Sequence, residues 1–78
     1  MKIVKASLTQ TSFSCPSSWV GRLSNKKQIE IHFRQGRLEL RCKGEVLVRG
    51  ERDQFDISSF MDLDEALAIL EREGVKSE

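Results

Sequence analysis

The side chains in this chain that could carry chemistry are few: Cys15, Cys42, the single histidine His32, and a series of arginines and lysines. A thiolate can act as a nucleophile or a metal ligand, and an imidazole can act as a general base. The spacing favours neither. No CxxC pair is present, and two scattered cysteines with one histidine fall short of a four-ligand zinc set. His32 alternates with Ile31 and Phe33, so it belongs on the solvent side of a strand. Catalysis there would still need a nucleophile or a second acid within hydrogen-bond reach. The sequence therefore predicts a non-enzyme, with no catalytic residue, no cofactor and no metal. Cys42 reads as a small inward-facing apolar residue. A disulfide between Cys15 and Cys42 is the less favoured reading in a chain expected to be cytoplasmic, where thiols stay reduced.

The remaining chemistry is cationic. Arg34, Arg37, Arg41 and Lys43 share one polar face of a predicted hairpin, with His32 in its middle. Arg22, Lys26 and Lys27 are candidates to stand alongside. Arginine is favoured at protein interfaces, and a basic β-ribbon can also sit on phosphates. Glu30 and Glu39 interrupt the strip, and no aromatic residue interleaves it as stacking on single strands would require. A fully solvated face is the plain alternative. The partner-binding candidates are thus His32, Arg34, Arg37, Arg41 and Lys43, facing a protein, a ribonucleoprotein or, directly, a nucleic acid. Trp19 reads either as a partner anchor or as the largest core residue.

Charge is unevenly distributed along the chain. The formal net charge is +1 over 78 residues. Residues 1–49 hold ten bases and three acids, a net of +7; residues 50–78 hold three bases and nine acids, a net of −6. Such asymmetry points to contact with a polyanion or to an acidic interaction surface, or simply to two halves that attract each other. A hydrophobic fraction of 38% with 32% charged residues suits one small globular domain. No apolar run is long enough for a transmembrane helix, and residues 1–8 lack the apolar core of a secretory signal.

These side chains need elements to hold them. Residues 2–9 alternate and predict a half-buried strand, with Val4, Ala6 and Leu8 on one face. Residues 9–18 (TQTSFSCPSS) read as an ordered loop, and residues 19–23 as a second strand. A turn follows at residues 24–27, where Asn25 can tolerate positive φ. The strongest signal is residues 28–34 and 37–43, two alternating strands around Gln35 and Gly36. A two-residue turn there sets a register in which paired numbers sum to 71. Phe33 then faces Leu38, Ile31 faces Leu40 and Ile29 faces Cys42. On the other face His32 stands opposite Glu39 and Glu30 opposite Arg41, with Arg34 beside Arg37 as the exception. Residues 45–49 form a further strand of open phase, and residues 55–57 a short one. A helix spans residues 63–73, with Asp62 as N-cap, Glu65 completing a capping box, and Gly74 as the stop. Its acids read as a solvated face, or as a surface for a basic groove or for the basic ribbon of a second copy. The expected fold class is α+β: a twisted antiparallel sheet of four or five strands with one C-terminal helix packed on one face, in a single domain over residues 1–78. An uncapped edge at residues 2–9 could pair with a second copy, although Lys2 and Lys5 oppose it.

Three segments, CPSSWVG at residues 15–21, IEIHFRQGRLEL at 29–40 and FMDLDEAL at 60–67, resemble a family of small uncharacterised bacterial and phage proteins. In that family a CPSxWxG segment precedes an Arg-rich hairpin around a glycine turn, and a Met-containing cap leads into a short helix. The chain departs from the family's usual Asp-Gly turn, having Asn25 and Lys26, and its hairpin has fewer aromatics. The resemblance covers most of the chain after Ser14 and implies a phage or mobile-element setting, where small proteins are often inhibitors or adaptors of a larger machine. The functional expectation is a non-catalytic binding protein acting by surface contact, of the accessory or inhibitor type that an anti-CRISPR protein exemplifies. The alternative is a small DNA- or RNA-binding regulator.

Overall fold

The computed structural model of the chain describes residues 1–13, 17–34, 36–51 and 61–78, the side chain of Phe13 aside. Cys15, Gln35 and the strand expected at residues 55–57 lie outside them. The fold is α+β. Strands β2 (Thr9–Phe13), β3 (Ser17–Arg22), β4 (Gln28–Arg34), β5 (Arg37–Cys42) and β6 (Glu45–Glu51) follow one another as an antiparallel sheet in sequence order. The helix α1 (Leu63–Arg72) covers one face. Two short strands, β1 (Lys2–Ile3) and β7 (Lys76–Ser77), pair in parallel and tie the two ends of the chain together.

The central hairpin has the expected register: Phe33 pairs with Leu38, Ile31 with Leu40, His32 with Glu39, Glu30 with Arg41 and Arg34 with Arg37. The period of two sorts it cleanly. Ile29, Ile31, Phe33, Leu38 and Leu40 are buried, together with Trp19 from β3. Trp19 is thus a core residue. Gly36, at φ 80°, supplies the left-handed conformation that the reversal needs. On β6, Val48 pairs with Leu40 and Gly50 with Leu38, and a bulge follows before Val46 meets Arg41. That bulge resolves the phase of β6. Val48 packs on the core, and Leu47 is left 43% exposed.

Helix and sheet meet at Gly50. A β-carbon there would collide with Ile69 Cγ2, so the bare backbone lets α1 lie close to β6. Ala66, Leu67, Ile69 and Leu70 are the buried stripe of α1, with Leu63 half-buried. The helix ends in a Schellman motif. Val75 N–H donates to Leu70 O at 2.9 Å and Gly74 N–H to Glu71 O at 3.0 Å, with Gly74 at φ 94°. Val75 and Leu70 are both buried, which supplies the apolar contact of that motif. Asp62 is the N-cap by position, and its carbonyl accepts from Ala66 N–H, but its carboxylate makes no capping bond. The expected capping box is therefore not formed by Asp62.

Three expectations for the first 27 residues are corrected. Residues 2–9 are not one strand. β1 gives way to a 3-10 turn at Lys5–Ser7, Ala6 is exposed, and Ile3 is the fully buried residue. The hydroxyl of Ser7 donates to Val4 O at 2.6 Å and accepts from Arg22 N–H at 3.0 Å, which turns the backbone locally instead of extending it. Part of the expected loop at residues 9–18 is the edge strand β2, paired along β3 with an irregularity between Gln10 and Ser12. Its Ser and Thr side chains serve the sheet: Thr11 Oγ1 and Ser18 Oγ share a 2.8 Å hydrogen bond. In the β3–β4 turn the left-handed residue is Lys26 (φ 72°), not Asn25, whose Oδ1 accepts from Lys27 N–H at 3.0 Å.

Candidate docking face and its charges

The outward side of the sheet is built by the same alternation that builds the core. His32, Arg34, Arg37 and Arg41 all occupy outward positions of β4 and β5. Cross-strand pairing arranges this face in rows. One row runs Arg34, Arg37 and Glu51; the next runs Ser18, His32, Glu39 and Arg49; a third runs Val20, Glu30, Arg41 and Val46. Among the described residues no helix packs on this face.

The polar side chains in the middle rows contact one another along each strand more than across it. His32 Nε2 lies 2.9 Å from Glu30 Oε2. Arg41 Nη2 lies 2.6 Å from Glu39 Oε1, and Arg49 Nε lies 3.6 Å from Glu39 Oε2. The sequence places His32 opposite Glu39 and Glu30 opposite Arg41, which holds for the backbone. The short contacts of His32 and Arg41, however, are with neighbours two residues away on the same strand. Side chains at i and i+2 share a face, and a long side chain spans that gap readily. Arg41 Nε is buried and has no hydrogen-bond partner among the described residues.

Two cationic ends remain. At one end, Arg34 and Arg37 are directly opposed and exposed, and no ion pair engages either among the described residues. Lys43 lies at the other end, in the two-residue turn between β5 and β6, where Lys43 (φ 54°) and Gly44 (φ 80°) both take left-handed backbone. This is the turn type that suits a hairpin's twist, normally with Asn or Gly at its first position. Six residues of strand separate Arg37 from Lys43, about 20 Å at ~3.4 Å per residue. Four of the five candidates therefore share a face, Lys43 lies in the turn at its far end, and the five do not converge. Beside Lys43 the structure gathers three cations outside that set: Arg22, Lys26 and Lys27 line an open basin of about 910 Å³ together with Lys43, Val20 and Glu30. The sequence offers Arg22, Lys26 and Lys27 as candidates to stand alongside the basic face, and the structure places them with Lys43.

Cys42 is free and half-buried against the core. Among the described residues no cluster of three or more His, Cys, Asp or Glu side chains could hold a metal ion, and no helix is long and apolar enough to cross a membrane. The chain matches no protein-family model, no curated protein and no solved structure.

Proposed function

We propose that this protein is a non-catalytic binding module that docks through the outward face of its sheet onto an acidic surface of a larger protein or protein–nucleic acid complex. One observation carries the reading. The exposed, directly opposed pair Arg34 and Arg37 has no ion partner among the described residues, although like charges placed so are unfavourable within the sheet itself. An acidic partner would relieve that repulsion. His32, Arg41 and Lys43 extend the same face, and the Glu39 carboxylate between Arg41 and Arg49 would set orientation by rejecting a misplaced acid. A phage or mobile-element accessory protein or inhibitor of the anti-CRISPR kind is the concrete form that the sequence resemblance suggests.

Affinity capture from lysate, with the wild-type chain and an Arg34→Glu, Arg37→Glu variant in parallel, tests the proposal. The expected result is a stable complex that survives nuclease and is lost with the double variant. A partner retained equally by both chains rejects the face. A complex that disappears on nuclease treatment supports instead the second reading, a small nucleic-acid-binding regulator, which the basin beside Lys43 favours.

A further inference from the structure

The four cations of the basin come from separate stretches of chain. Arg22 ends β3, Lys26 and Lys27 belong to the β3–β4 turn, and Lys43 to the β5–β6 turn. In an antiparallel meander alternate turns lie at the same end of the sheet, so these two turns are neighbours. Among the described residues, none of the four side chains has an ion-pair or hydrogen-bond partner. Among the described lining residues Glu30 is the single acid, set against four cations, so the basin carries a net positive charge.

The backbone carries a second, independent signal. Lys26 and Lys43 are the described non-glycine residues at positive φ, and both line this basin. Asn or Gly would relax either turn, so folding alone does not select lysine at these sites. Strained positions that persist point to a role for the side chain they hold. Among the described residues the lining also holds apolar Val20, 38% exposed, and no aromatic ring. Recognition would thus be electrostatic and not through base stacking.

We infer that this basin is a binding site for linked phosphate groups, held between the lysines of the two turns with Arg22 on one wall. Such groups come from a nucleic-acid backbone or from a free polyphosphate. The site does not depend on the docking pair: Arg34 and Arg37 lie at the opposite end of the hairpin.

The test uses two probes, a labelled single-stranded oligonucleotide read by anisotropy and inorganic tripolyphosphate read by calorimetry, with poly-glutamate as comparator. The proteins are wild type, Lys26→Gly with Lys43→Asn, and Arg34→Gln with Arg37→Gln. At ~50 mM salt at least one phosphate probe should bind wild type. The lysine double variant should lose about tenfold or more in affinity and the arginine double variant less than about threefold. Oligonucleotide affinity should fall roughly 20–50-fold between ~50 and ~200 mM salt if three or four phosphates are contacted. Because both lysine substitutions relax a turn, thermal stability should be unchanged or higher, so lost binding would not reflect lost folding. Binding of the oligonucleotide alone assigns a nucleic-acid backbone, and binding of tripolyphosphate alone assigns a free polyphosphate. The inference is overturned if neither probe binds, if poly-glutamate binds equally well, or if the lysine double variant keeps full affinity. Failure of this experiment leaves the partner capture above unaffected, since that one reads Arg34 and Arg37.

Discussion

The two faces of the sheet obey different rules. On the inner face the apolar residues follow from packing: Trp19, Ile31, Phe33, Leu38 and Leu40 interlock beneath α1 and exclude water. On the outer face several choices work against stability. Arg34 opposes Arg37, Arg41 keeps a buried Nε without a partner among the described residues, and Lys43, in the turn beside this face, sits in left-handed backbone. A left-handed conformation costs a residue with a side chain about 1 kcal/mol relative to glycine. Where the fold explains a residue, a change should damage the fold. Where it does not, the change should leave the fold intact and damage whatever the face contacts.

The contrast sharpens with substitutions graded by expected effect. The largest belongs to the inner face. Phe33→Ala, at a fully buried position, should destabilise by about 3–5 kcal/mol in urea unfolding. A loss below about 1 kcal/mol would mean that the hairpin's inner face is not the core. Next is Gly50→Ala. Its new methyl must displace Ile69, so about 1–3 kcal/mol should be lost, with the change felt in amide exchange along α1. Lys43→Asn reverses the sign, raising stability by about 0.5–1 kcal/mol in the same unfolding assay. A marked loss instead would show that the lysine supports the fold. The smallest effect is Glu39→Gln. It removes the charge from two ion pairs on a partly exposed surface, and solvent screening limits the loss to about 0.2–1 kcal/mol, checked by its disappearance in high salt.

Local patterns were legible where several signals agreed. In β4 and β5 the period of two, the glycine at the turn and the apolar matching all require one register, because a slip by one residue would turn Ile31 and Leu40 to water. The end of α1 was legible from Gly74, and the fold completes that stop with Val75. The first strand was misread because its alternation extends over too few apolar residues to exclude a turn, and Ser7 provides one. β2 was obscured by composition: Ser and Thr suit loops when alone and sheet edges when a neighbouring strand is present. The candidate face was legible as a set of outward residues, yet its pairing into His32–Glu30 and Arg41–Glu39 depended on side-chain reach, which periodicity does not encode.

Short-range periodicity, turn chemistry and capping are properties of consecutive residues, so the amino-acid order alone determined the inner and outer faces of the hairpin and the span of the helix. Which distant residues become neighbours is set by how successive hairpins stack. Only the folded meander decided that the lysines of two turns, far apart along the chain, share one end of the sheet while Arg34 and Arg37 occupy the other. The parallel pairing of β1 with β7 was likewise decided only by the fold. It joins the two ends of the chain, and no local pattern contains a contact of that range.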